Sequence, residues 1–196
     1  GGACWDYAEL EKIQKVCAAR GLSYHLDGAR LFNALVAKNE EPKQYGKLFD
    51  SISICLSKGL GAPIGSLLLS SEENIHKAIR LRKLFGGGMR QVGYLAAAGI
   101  YALDHHVDRL QEDHDRAKLL GRALMACDWV DKVEPIETNI IIFKLFKHLD
   151  EKLFLTELEK EQIKIISMGE GKLRIVTHLE FTDEMLAKVI EVLERI

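Results

Sequence analysis

A chain of 196 residues, 47% hydrophobic and 29% charged, is long enough to bury a core and has the composition of an ordinary globular protein. Its 27 basic residues are nearly balanced by 29 acidic ones, for a net charge of −2, so there is no broad basic field and no nucleic-acid partner is expected. The cysteines at 4, 17, 55 and 127 make no CxxC pair, which points away from a zinc site or a disulfide framework and towards reduced thiols in the cytoplasm, and no run of about eighteen apolar residues is present to span a membrane.

The chain opens on Gly1-Gly2, without an initiator Met and without a basic stretch leading into an apolar one, as expected of a fragment or a processed product. A helix is predicted over 6–20 from Leu10, Ile13, Val16 and Cys17 at helical spacing, with Asp6 as N-cap and Gly21 as the stop. A short strand over 22–26 then delivers Asp27-Gly28, and an alternating strand over 51–56 delivers Ser57-Lys58. A strand over 65–69 precedes Ser71, which, with Glu72 and Glu73 behind it, opens a helix running to about Leu84. Gly86-Gly87-Gly88 breaks that helix, and a long helical pattern, bent near His105, follows over 91–127. Beyond Trp129 come a strand over 139–145, a helix over 150–161, strands over 163–166 and 172–176, and a helix over 183–195. Strands alternating with helices predict an α/β architecture: part of a large domain over 1–127, with the long helix as connection, and a small α+β domain over 128–196 that leans on it.

Two windows carry chemistry. In Ser57-Lys58-Gly59-Leu60-Gly61-Ala62-Pro63-Ile64-Gly65 a lysine leaves a strand into a turn dense in Gly and Pro. Apolar walls around such an amine disfavour its charged form, and the neutral form attacks a carbonyl carbon to give a Schiff base; an exposed lysine in a surface turn is the plainer alternative. Neither a dinucleotide fingerprint nor a P-loop fits, because Pro63 interrupts the glycines, a strand follows, and Gly65-Ser66-Leu67 lacks the Gly-Lys-Ser/Thr ending. In His25-Leu26-Asp27-Gly28-Ala29-Arg30 a carboxylate at a strand end could hold a proton on a ring nitrogen and Arg30 could grip a carboxylate, or Asp27 could simply cap a helix with Arg30 as its partner. Asp27, Arg30 and Lys58 all fall at C-terminal strand ends, the edge where α/β sheets collect ligands. The histidines in Asp104-His105-His106 and Glu112-Asp113-His114-Asp115 lack the His-x-x-x-His face of a metal site and read as a solvated helix face, while His25 and His178 read as core histidines with backbone partners.

The segments HLDGAR (25–30), ICLSKGLGAPIGSLL (54–68), GGGMRQ (86–91), LAAAGIYAL (95–103), LQEDH (110–114) and LRIVTH (173–178) together resemble threonine aldolases, in order and spacing, along essentially the whole chain. The resemblance implies an aminotransferase-like, fold type I α/β protein dependent on pyridoxal 5′-phosphate, comprising the C-terminal part of the large domain and the small α+β domain. It implies that Lys58 holds the cofactor, Asp27 pairs with the pyridinium nitrogen, Arg30 and Arg174 bind the carboxylate of an amino-acid substrate, and Arg90 lies near the cofactor phosphate. A strand arginine paired with Glu170 is the plainer alternative for Arg174, and a helix–helix hinge for the three glycines. The implied reaction is retro-aldol cleavage of threonine or allo-threonine to glycine and acetaldehyde, in a homodimer or homotetramer with no metal. Another pyridoxal-phosphate lyase or aminotransferase activity, or a non-catalytic fragment, is the competing expectation, since the family's ring-stacking imidazole and Gly-Thr phosphate turn would precede this stretch.

Overall fold

In the computed structural model, which describes residues 1–196, the chain divides into two compact units, Trp5–Arg109 and a second one joining Gly1–Cys4 to Leu110–Ile196.

Within the first unit Asp6 caps α1 (Tyr7–Ala19), its carboxylate accepting the Ala8 amide at 2.9 Å. The helix closes with the Leu22 amide on the Cys17 carbonyl, so β1 (His25–Gly28) begins three residues later than the sequence pattern predicts. Two helices that this pattern does not resolve follow: α2 (Leu31–Lys38), ended by Asn39 in a left-handed conformation, and α3 (Pro42–Leu48), with proline in its first turn. They form the crossover that lets β2 (Ser51–Cys55) lie parallel to β1, in register His25 to Ser51 and Asp27 to Ser53. β3 (Ser66–Ser70) pairs antiparallel with β2, giving the sheet order β1-β2-β3. One face of β2 carries Ile52 and Ile54, which with Leu10, Leu31, Leu35, Tyr45 and Phe49 form the unit's core. Each such side chain contributes on the order of 1.5–3 kcal/mol by leaving water. Directly opposed strand residues share a face, so Asp27 projects with Ser53 on the side away from that core. Ser71 caps α4 (Glu72–Leu84) by accepting the Asn74 amide, and α5 (Gly93–His105) completes the unit.

The predicted long helix over 91–127 is two helices. The His106 amide closes α5 on the Ala102 carbonyl, and α6 (Leu110–Ala126) starts afresh in the second unit. There α6 packs against β4 (Val130–Val133), β5 (Ile140–Leu145) and α8 (Asp183–Arg195). With α7 (Glu151–Lys160), β6 (Ile166–Gly169) and β7 (Lys172–Val176) these build a four-stranded antiparallel sheet in the order β4-β5-β7-β6. The strand expected over 163–166 is displaced to Ile166–Gly169. Gln162, at φ 62°, closes α7 instead, with the Ile163 amide on the Leu158 carbonyl.

Leu120, Leu124, Ile141, Phe143, Leu145, Leu158, Leu173, Val192 and Leu193 are the centre of this core. The apolar run of β5 is buried along both faces, with Gly1 and Gly2 lying against Ile142 and Ile140 on the face opposite Ile141 and Phe143. The Thr138 hydroxyl donates to the Gly2 carbonyl at 2.7 Å, and the Cys4 amide to the Glu137 carboxylate at 2.9 Å. No helix is long and apolar enough to cross a membrane.

Candidate active site

Two chain segments meet at the C-terminal edge of the first sheet. A gap of about 10 Å³ is lined by Gly28, Ala29 and Arg30 at the end of β1 and by Cys55, Gly59 and Leu60 at and beyond the end of β2, so the two sequence windows adjoin. Their approach requires glycine at 28, where a Cβ would stand 2.7 Å from the Ser53 carbonyl oxygen. Asp27 is exposed. One of its oxygens accepts the Ala29 amide at 3.1 Å, which fixes the carboxylate in a local turn and leaves the second oxygen without a hydrogen bond from the chain. Arg30, half-buried, is the residue before α2, and its Nε is shielded from solvent.

After β2 the chain folds into a closed turn. The Leu56 amide donates to the Gly65 carbonyl, the Ala62 amide to the Leu56 carbonyl, and the Gly61 amide to the Lys58 carbonyl, with Gly61 at φ 71°. Gly59, Leu60 and Ala62 are buried, whereas Ser57, Lys58, Pro63 and Ile64 are exposed. The apolar surround expected for Lys58 is therefore not formed by its own turn: Leu60 and Ala62 are buried, Pro63 and Ile64 stand in solvent, and the lysine is exposed.

Arg90 lies in an exposed stretch between α4 and α5. Arg174 belongs to the other unit, on β7, flanked by Ile142 of β5 and Ile166 of β6. No ion pair joins it to Glu170, and its Nε is buried with no acceptor from the chain. A cavity of about 580 Å³ in the same unit includes Arg174 and His178 in a mostly apolar lining of Ile163, Ile165, Phe181 and Met185, and touches neither Asp27 nor Lys58. At its rim Glu161 is held below the ordinary carboxylate range, first by Lys188 and then by Arg195.

The histidines depart from expectation. His25 is exposed, and its Nδ1 pairs with the Ser51 hydroxyl at 2.8 Å instead of sitting in a core. His178 is exposed too, its Nδ1 accepting the Glu180 amide. Asp113 and His114 are buried, not solvated, because α6 turns them into the second unit. His106, half-buried, holds the Leu60 carbonyl at 2.6 Å.

Residues 1–146 match the model of the beta-eliminating lyase family. The chain belongs to that family. It is 45% identical to the low specificity L-threonine aldolase of Escherichia coli strain K12 over 180 residues, covering 92% of this chain and 53% of that protein. It is 39% identical to low-specificity L-threonine aldolase 1 of Arabidopsis thaliana over 185 residues, covering 93% of this chain and 52% of that protein. The chain thus spans about half the length of the curated relatives it matches. Leishmania major threonine aldolase has the same fold, at a TM-score of 0.79 and 24% identity over 96% of this chain and 56% of that one. The fold is the aminotransferase-like fold type I expected from the sequence.

Each unit, taken by itself, presents a polar group that the chain leaves unengaged. The unengaged oxygen of Asp27 is an acceptor for a protonated ring nitrogen. The orphaned Nε of Arg174 is a donor suited to a carboxylate. The sequence pattern places His106 on a solvated helix face, although it continues a helical stripe through Leu95, Gly99 and Ala102; that spacing is the signal that marks it as inward-facing.

Proposed function

We propose that this chain carries the lysine-bearing part of a pyridoxal-phosphate-dependent threonine aldolase, which cleaves β-hydroxy-α-amino acids such as threonine and allo-threonine to glycine and acetaldehyde. The observation that carries this reading is the meeting of the Asp27 and Lys58 windows at the C-terminal ends of two adjacent parallel strands. Family membership supports it.

Lys58 would hold the cofactor through its amine. When bound, pyridoxal phosphate supplies the sink for the electron pair of the breaking Cα–Cβ bond. Asp27 keeps a proton on the ring nitrogen, the condition under which such a sink works, and its bond from the Ala29 amide orients the carboxylate for that task. Arg30 is assigned to the substrate carboxylate, as is Arg174, whose buried Nε lacks an acceptor. Arg90 is assigned to the neighbourhood of the cofactor phosphate in a homodimer or homotetramer. The exposed apolar residues around it, among them Phe85, Met89 and Tyr94, support such an assembly. Four free cysteines support a cytoplasmic setting.

The exposure of Lys58 favours a second reading, a non-catalytic fragment. The ultraviolet–visible spectrum with added pyridoxal phosphate, before and after borohydride, separates the two. The expected result is a band fixed covalently in the unsubstituted chain and absent in Lys58→Ala. Acetaldehyde released from threonine or allo-threonine, without pyruvate or ammonia, then distinguishes aldol cleavage from other lyase or aminotransferase chemistry. A spectrum that Lys58→Ala leaves unchanged would falsify the aldolase reading of this chain.

A further inference from the structure

The turn that carries Lys58 is tied to helix α5 at two points. At the first, glycine lets the helix close on the end of β2: a Cβ at position 99 would stand 3.0 Å from the Leu56 Cδ1. Ala102, one turn on, is 1% exposed. At the second, His106, which caps α5, places its Nδ1 2.6 Å from the carbonyl oxygen of Leu60. A carbonyl only accepts, so Nδ1 carries the proton in this contact, and both the matching neutral tautomer and the imidazolium keep it there. The ring of Tyr101 stands edge-on to the imidazole, with centroids 5.4 Å apart, and restricts its rotation. Leu60 is 3% exposed, so water is a poor substitute for the lost donor.

The backbone bonds of the turn, from Leu56 to Gly65, Ala62 to Leu56 and Gly61 to Lys58, close it upon itself. The His106 bond adds an anchor from a separate element. It grips the residue two past Lys58, where a shift of the turn would swing the lysine away from the sheet edge at which β1 delivers Asp27.

We propose that His106 is a positioning residue for Lys58: its imidazole clamps the turn by donating to the Leu60 carbonyl, and so holds the lysine amine at the edge occupied by Asp27. The functional half of this proposal rests on reading Lys58 as the cofactor lysine. His106→Leu removes the donor. His106→Asn keeps one, because the asparagine amide nitrogen can take the place of Nδ1.

Two measurements on the full chain test it. The first is amide hydrogen exchange at Gly61 and Ala62, expected to be roughly fivefold faster in His106→Leu, as for the loss of one hydrogen bond, and restored in His106→Asn. The second is the rate at which pyridoxal phosphate followed by borohydride labels the Lys58 peptide, read by mass. It is expected to fall several-fold in His106→Leu and to recover in His106→Asn. Unchanged exchange in His106→Leu overturns the clamp. Faster exchange with unchanged labelling of Lys58 overturns the positioning role and leaves a purely structural bond. No label at Lys58 even in the unsubstituted chain overturns the cofactor reading and, with it, the functional half of the proposal, while label there that His106→Leu matches overturns the proposal alone.

Discussion

His114 lies in the first turns of α6 and is 1% exposed. Burial, the largest influence, pushes its pKa below the ordinary value near 6.5, with Asp113 opposing. The unfolded chain therefore takes up a proton at a pH where the folded one does not. This residue costs no stability above about 6.5, and stability is lost as the pH falls from there towards the lower folded value. Thermal midpoints measured between about pH 8 and pH 5 should fall less steeply for His114→Gln than for the unsubstituted chain. Equal slopes would show that another group governs the acid side. Its partner in sequence, Asp113, uses its backbone for a different purpose: its carbonyl accepts the Thr177 hydroxyl at 2.7 Å, while the Asn139 amide donates to the Thr177 carbonyl at 2.7 Å. These bonds fasten the end of β7, and so fix the register that presents Arg174 opposite Ile142.

Helix α8 illustrates how far local rules reach. Thr182 caps it by accepting the Met185 amide, Asp183 and Glu184 occupy the first turn, and Leu186, Val192 and Leu193 enter the core. Asp183 also binds Arg116 of α6 at 2.7 Å. Replacing the cap by Thr182→Ala should cost about 1 kcal/mol in denaturant unfolding, with Thr182→Asp close to neutral. Equal stability of all three proteins would show that packing alone holds the helix end. Elements with such chemical signposts are legible in the sequence: Asp6, Ser71 and Asp150 each accept an amide from the first turn of their helix, as their positions suggest. Likewise, the alternation in Ser51–Cys55 states which face of β2 is buried. The misses have equally physical causes. α2 and α3 lie between the two windows as short helices with no side-chain cap bond. β6 slips because Ile163 and Ile165, alternating with Lys164, look like a strand while Gln162 is still closing α7. At the break between α5 and α6 His106 makes a tertiary bond to Leu60, a contact that no window of sequence contains. Asp27 and Lys58 are legible from strand ends, whereas His106, assigned with His105 to a solvated face, is marked as inward only by the stripe through Leu95, Gly99 and Ala102.

In the molecule as a whole, apolar surface is distributed unevenly. β3 is an edge strand, and Leu67, Leu68 and Leu69 on it are 41%, 47% and 45% exposed, so neither of its faces is covered. Helix α4 buries none of its residues, and Phe85 beyond it is 87% exposed. Surface of this kind captures apolar ligands and other chains. A hydrophobic dye such as ANS should fluoresce strongly with the native chain, and the double substitution Leu68→Lys, Phe85→Ser should reduce that signal without moving the thermal midpoint by more than a few degrees. A dark, monomeric native protein would contradict this. The place of residues 1–4 has a different consequence. They sit in the unit whose other members begin only at Leu110, while everything needed for the core of 5–109 is contiguous. Closing that unit joins residues 136 and 133 positions apart in sequence, at the Thr138–Gly2 and Glu137–Cys4 bonds, so the loop entropy of bringing these partners together is met only once the contiguous core between them has shortened the path.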